Sequence, residues 1–196
     1  MLGRTMLRNL KELFGALQPQ PTAAPDAAEH TLQLATAVML IEVMRADTHF
    51  DAAERRAVVD ALTHAGAKDI RLINRTAERA QLLARDLGGP VTCLRWEERH
   101  AALEGAGLLV NTTSQGMVGN PPLDLKLDAL PTNAVVYDII YIPGETPLLR
   151  DARLRGNPTL NGLGMLLHQG RPAWKGWFGL DVEVTQELRK LIEDSL

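Results

Sequence analysis

From residue 69 onward, short apolar runs alternate with longer stretches of helical periodicity, and this alternation leaves few folds open. The runs fall at 69–73, 91–94, 107–110, 134–141 and 158–160. Helices are expected over 76–87, 97–104, 145–155, 163–178 and 182–195. Strands separated by helices pair in parallel through right-handed crossovers, because a short turn cannot return the chain to a parallel neighbour. The expectation is an α/β fold: an incomplete Rossmann-like doubly wound parallel sheet, preceded by a small α-helical N-terminal segment.

The sheet is expected to be incomplete because its first strand is not evident. Residues 28–46 (AEHTLQLATAVMLIEVMRA) are apolar nearly all round and read as a buried helix. The first strand belongs at the centre of the order 3-2-1-4-5-6, so a helix here leaves a gap between the second and fourth strands. The β-branched residues of ATAVMLIEVM keep a strand open as the other reading.

The remaining N-terminal pattern is helical. Leu2, Met6, Leu10, Leu13 and Leu17 recur at three- and four-residue spacing beside a basic face of Arg4, Arg8 and Lys11. Residues 1–17 thus read as an amphipathic helix, either packed as a terminal helix or docked on a membrane surface or partner. Residues 18–29, with Pro19, Pro21 and Pro25, read as a linker. A further helix is expected from Asp51 or Ala52 to about His64, with Gly66 as its stop.

Bulk properties narrow the function classes. A net charge of −3 argues against a general nucleic-acid binder. No segment reaches the ~18 apolar residues of a membrane span. The single cysteine, Cys93, sits in an apolar run and reads as a small buried filler. One cysteine permits no internal disulfide, which together with the absent leader pattern leads to an expected cytoplasmic location. The five histidines, at 30, 49, 64, 100 and 168, show no metal-ligand spacing.

Four motifs close the apolar runs in order: Asn74-Arg75-Thr76, Asn111-Thr112-Thr113-Ser114-Gln115-Gly116-Met117, Tyr137-Asp138-Ile139-Ile140-Tyr141-Ile142-Pro143 with Glu145-Thr146-Pro147, and Asn161-Gly162-Leu163-Gly164-Met165-Leu166-Leu167-His168-Gln169. An arginine after the second strand of a dinucleotide fold receives a ribose 2′-phosphate, whereas an acid there selects the free 2′-hydroxyl. Arg79 lies one helical turn on. Thr76 begins the next helix and is placed to cap it. Gly116 permits the tight turn after Thr113.

In this order and spacing the motifs resemble the nucleotide-binding half of shikimate dehydrogenases, over roughly residues 55–196. The resemblance implies NADP as cofactor, held by Asn74, Arg75, Thr76, Arg79, Asn111, Thr112, Ile139 and Gly162. It implies a shikimate or 3-dehydroshikimate substrate contacted by Tyr141 and Gln169. The implied reaction is the reversible reduction of 3-dehydroshikimate to shikimate in aromatic amino-acid biosynthesis.

Residues 1–56 resemble instead part of the tellurite-resistance TerB-like family, through a helix, the acidic turn Asp47-Thr48-His49-Phe50-Asp51, and a second helix. That resemblance implies metal binding at Asp47, Asp51 and Glu54. The same residues also fit a helix cap, with Asp51 and Glu54 forming a capping box. The chain therefore divides into the amphipathic helix (1–17), the linker (18–29), a TerB-like fragment (30–56) and a shikimate dehydrogenase-like domain (57–196).

Two parts of the implied enzyme are not found. No glycine-rich turn precedes residues 52–64, although such a turn lets the backbone touch a pyrophosphate. No lysine (11, 68, 126, 175 or 190) stands in a setting like the family's catalytic lysine, so no catalytic residue is assigned. The expectation is an oxidoreductase weak or inactive as an isolated chain, with a homo-oligomer or a partner chain as the expected assembly. The alternative is a helical interaction or metal-binding module with the α/β half as scaffold.

Overall fold

The computed structural model describes residues 36–40, 62–64 and 66–196. The amphipathic helix, the linker and the acidic turn with Asp47, Asp51 and Glu54 lie outside the described residues.

Six parallel strands form one open sheet in the order β3-β2-β1-β4-β5-β6. They are β1 (Thr36–Leu40), β2 (Asp69–Ile73), β3 (Val91–Leu94), β4 (Leu108–Asn111), β5 (Val135–Asp138) and β6 (Thr159–Leu160). The helix expected over 28–46 is corrected at residues 36–40, which form the central strand. β1 pairs with β2 on one side and β4 on the other, so no gap opens in the sheet. A strand between two parallel neighbours reads as a continuous apolar run, without the alternation that marks a half-buried strand.

Among the described residues, the strands are followed by the helices α1 (Ala77–Leu87), α2 (Pro147–Leu154), α3 (Leu163–Phe178) and α4 (Gln186–Glu193). The helix expected over 97–104 is instead two short 3₁₀ turns, Trp96–Glu98 and Ala101–Leu103. Residues 62–64 are helical, and the amide of Gly66 donates to Thr63 O while Ala67 donates to Leu62 O, the stop expected there.

Strand parity sends side chains to two cores, one on each face. Ile73, Leu109 and Val136 pack with Leu103, Leu127, Leu130 and the α2 residues Leu148, Leu149 and Ala152. Ile70, Leu72, Leu108, Val110 and Val135 pack on the other face with Leu62, Ala67 and Leu87. Adjacent strand residues therefore serve different cores, and both faces are apolar, as a doubly wound sheet requires. Cys93 is half-buried beside the second core, and its thiol donates to Ala80 O at 3.0 Å. Burial pushes that thiol above its usual range.

Candidate functional site

The strand register brings the motifs to one edge. Leu94, Ile73, Leu40, Asn111 and Asp138 are successive partners across β3, β2, β1, β4 and β5. Asn74, Thr112 and Ile139 are the next residues of β2, β4 and β5, so all three emerge at the carboxyl edge. Three strand spacings separate Asn74 from Ile139, about 14 Å. Open α/β sheets bind ligands at this edge.

At the β2 end the turn is built around a buried asparagine. Asn74 is 7% exposed, and its Oδ1 accepts from the Thr76 amide at 2.8 Å. This side-chain turn leads directly into α1, whose first-turn amides of Arg79 and Ala80 donate to Thr76 O. The expected side-chain cap by Thr76 is corrected: its hydroxyl makes no capping hydrogen bond. Asn74 already fixes the turn, and Thr76 stays exposed. Arg75 and Arg79 are exposed too, on a turn of Asn74-Arg75-Thr76 that holds no acid. Their charge suits a phosphate monoester or other dianion.

At the β4 and β5 ends the structure builds a buried polar network. Asn111 and Asp138 are both 0% exposed. Asn111 Oδ1 accepts from the amide and hydroxyl of Thr113, at 3.0 and 2.8 Å. Asn111 Nδ2 donates to Asp138 Oδ1 at 3.1 Å and to Gln115 O at 3.3 Å. The same Asp138 oxygen accepts from the Ile140 amide at 3.2 Å, while Oδ2 accepts from the Thr146 hydroxyl at 2.7 Å. Thr146 Oγ1 in turn accepts from the Leu149 amide at 3.3 Å and caps α2. One carboxylate thus ties the loop after β4, the loop after β5 and the start of α2. Burial raises the pKa of Asp138; the bonds from Thr146, Ile140 and Asn111 oppose that shift without cancelling it.

This network holds Ile139 in place. The Ile139 amide donates to Asn111 O at 3.1 Å, the last rung between these strands. β5 ends at Asp138, so Ile139 and Tyr141 lie beyond the strand rather than within it, a correction to the run expected over 134–141. Gly162 closes on the same segment, its amide donating to Ile140 O at 2.9 Å. A Cβ at position 162 would stand 1.7 Å from Ile139 O and 2.3 Å from its carbonyl carbon. The backbone at Gly162 is ordinary right-handed helical, at φ −73°, so glycine serves proximity rather than conformation.

α3 starts at this contact, with Gly162 O accepting from Leu166 N at 3.0 Å. Gln169 follows Gly162 by seven residues, about 10 Å along the helix, and is exposed. Tyr141 is half-buried. Neither Tyr141 nor Gln169 makes a side-chain hydrogen bond among the described residues. The structure brings Asn111, Ile139 and Gly162 into direct contact or one hydrogen bond of it. It aligns Asn74 and Thr112 on the same edge, and leaves Arg75, Arg79 and Gln169 reaching outward.

Sequence reasoning missed the roles of Asp138 and Thr146. The available signals were an acid ending the apolar run Val135-Val136-Tyr137 and the cap pattern Thr146-Pro147. Among the described residues no group of three His, Cys, Asp or Glu side chains is arranged to hold a metal ion. No described helix is long and apolar enough to cross a membrane.

No family model matches the chain. Curated relatives do. The shikimate dehydrogenase (NADP(+)) of Paramagnetospirillum magneticum is 56% identical over 137 residues, 70% of this chain and 50% of that protein. That of Nitrobacter hamburgensis is 54% identical over 141 residues, 72% of this chain and 50% of that protein. The chain thus spans about half the length of the curated relatives it matches. Among solved structures, the Thermus thermophilus shikimate 5-dehydrogenase in complex with NADP(H) and shikimate matches with a TM-score of 0.67 at 26% identity, covering 98% of this chain and 62% of that one. The Aquifex aeolicus shikimate dehydrogenase matches with a TM-score of 0.66 at 29% identity, over 95% and 59%. Quinate dehydrogenase from Corynebacterium glutamicum, at 24% identity and a TM-score of 0.71, shares the fold over 99% of this chain and 61% of its own.

Proposed function

We propose that this shikimate dehydrogenase-like domain is the NADP(H)-binding half of an oxidoreductase acting on shikimate or 3-dehydroshikimate. The observation that carries the reading is the carboxyl-edge row, which sets an acid-free arginine turn at β2 and the Ile139–Gly162 contact at β5. The span between them suits an extended dinucleotide. Relatives over half identical, named for NADP(+) and shikimate, support the same assignment.

The residues fit the cofactor unequally along its length. Arg75 and Arg79 would hold the ribose 2′-phosphate, with Asn74 and Thr76 shaping the turn. Asn111, Thr112, Ile139 and Gly162 would line the nicotinamide end, where Gly162 packs directly on the Ile139 peptide. The middle fits less well: residues 41–61, which follow β1, contain no glycine to admit a pyrophosphate close to the backbone. Bound NADPH supplies a hydride. Tyr141 and Gln169 would orient the hydroxyls of a shikimate-like ring through hydrogen bonds. No described side chain is assigned as the acid–base group that carbonyl reduction needs, so turnover by this chain alone is expected to be slow or absent.

The alternative of a TerB-like metal or interaction module loses one of its supports, since residues 36–40 form a strand where it needs a helix. Its acidic turn lies outside the described residues.

The test is a titration of the purified chain with NADPH and NADH, read by fluorescence transfer from the protein to the nicotinamide, followed by an assay with 3-dehydroshikimate. Saturable binding that strongly favours NADPH is expected, with little or no substrate-dependent oxidation. Failure to bind at millimolar NADPH would overturn the assignment.

A further inference from the structure

Asp138 grips both ends of the segment that follows β5. Its Oδ1 accepts from the Ile140 amide two residues on, and its Oδ2 accepts from the Thr146 hydroxyl eight residues on. The loop closed in this way carries Ile139 and Tyr141, the residues proposed to meet the nicotinamide and the substrate ring.

Further contacts hold the loop from outside. Asn111 O accepts from the Ile139 amide at 3.1 Å, and Ile140 O accepts from the Gly162 amide at 2.9 Å. Gly144 O accepts from Asn161 Nδ2 at 2.9 Å. The loop after β4 lies against it as well, since a Cβ at Gly116 would stand 3.5 Å from Thr146 Cβ and 3.7 Å from Ile140 Cδ1. Thr146 ties the loop to the core, because it caps α2, which buries Leu148, Leu149 and Ala152.

Stability by itself does not account for a carboxylate at this position. Asp138 and Thr146 are both 0% exposed. Among the described residues Asp138 draws on hydrogen-bond donors, with no cation beside it. Burying a charge in this way costs more than burying a neutral side chain of similar shape. What the carboxylate offers is acceptor capacity: it receives the Asn111 amide, the Ile140 amide and the Thr146 hydroxyl at one fixed point. An asparagine keeping the first two bonds would turn an N–H toward Thr146 Oγ1, which already accepts from Leu149 N. Full burial also keeps Asp138 from touching a ligand, so its influence passes through the backbone that it fixes.

The arginine turn at β2 is built separately, on Asn74 Oδ1 and the Thr76 amide. It lies about 14 Å from Ile139 across the sheet. A change at Asp138 is therefore felt at one end of a dinucleotide and not at the other.

We propose that Asp138, with Thr146, is a positioning residue for the nicotinamide end of the dinucleotide, acting through the Ile139 peptide and Gly162 without touching the ligand. This inference rests on the NADP(H) reading and deepens it.

Isothermal calorimetry of this chain with two ligands tests it: NADPH, and adenosine 2′,5′-bisphosphate, which keeps the 2′-phosphate and lacks the nicotinamide. In Asp138→Asn and Thr146→Val, NADPH should bind about tenfold more weakly while the bisphosphate binds as it does to wild type. Thr146→Ser keeps the hydroxyl and should restore NADPH affinity. Should Asp138→Asn fail to fold by far-UV circular dichroism, the Thr146 pair decides. Equal losses for both ligands would reveal general loosening and overturn the proposal, as would full NADPH affinity in both variants. Wild type that binds the bisphosphate as tightly as NADPH would also overturn it and leave the NADP(H) reading standing. Wild type that binds neither ligand at millimolar concentration would remove that reading and this inference together.

Discussion

Gly162 packs its Cα against the peptide of Ile139 so closely that a methyl group there would stand 1.7 Å from the Ile139 carbonyl oxygen. The contact seats the start of α3 on the segment that leaves β5.

Substituting Gly162→Ala should therefore force the α3 start away from β5. Overpacking against backbone costs about 3 kcal/mol, because a peptide cannot turn aside as a flexible side chain does. For a chain of this size that lowers the melting temperature by roughly 6–12 °C. NADPH binding should fall with it. A melting temperature within error of wild type would show that the contact is not structurally important.

Asp138 should give stability an acid-side pH dependence. Its folded pKa lies above the ordinary aspartate range because it is buried. The folded state thus binds the proton more tightly than the unfolded state. The associated stability is fully present below the ordinary aspartate range and is lost as pH rises through the raised pKa. Urea denaturation across mild acid should show wild type losing stability relative to Asp138→Asn as pH increases. The opposite slope would mean that the hydrogen bonds outweigh burial. Asp138→Ala leaves buried donors on Asn111, Ile140 and Thr146 without this acceptor and should cost about 3 kcal/mol in acid, less as pH rises through the raised pKa.

Tyr137 presents the complementary case. Its hydroxyl is shut off from water with no hydrogen-bond partner among the described residues, and burial, with a smaller contribution from Asp138, pushes its pKa up to about 12. The raised value gives stability that is present below the unfolded tyrosine pKa and lost as pH climbs through about 12. Tyr137→Phe removes an unpaired buried hydroxyl and should leave the protein unchanged or about 1 kcal/mol more stable. Thermal melts of the two proteins, with ultraviolet titration of phenolate, check both statements. A marked loss of stability in the variant would reveal a partner for the hydroxyl.

Arg75→Ala should weaken NADPH binding about tenfold or more and leave NADH binding nearly unchanged, since only NADPH carries the 2′-phosphate. The preference should also shrink at high salt, which screens an exposed contact. Equal losses for both cofactors would place Arg75 elsewhere on the ligand, and no loss for either would leave Arg79 as the phosphate contact.

Local patterns disclosed much of this protein before any tertiary structure was considered. Short apolar runs between helices determined the parallel α/β class, since crossover geometry follows from connection length. The helix expected over 145–155 is the observed Pro147–Leu154, although neither its cap by Thr146 nor the turn closed by Asn74 was among the expectations. Residues 36–40 gave only β-branched composition as a signal, because a central parallel strand lacks the alternation that tells strand from helix. Tertiary structure alone decided that they complete the sheet between β2 and β4. It alone set Asn111 opposite Asp138, a pairing fixed by register across 27 residues of chain. It alone pressed Gly162 onto Ile139. Those relationships depend on where distant segments meet, and hydrogen bonds and steric exclusion act over a few ångströms of space, not along the chain.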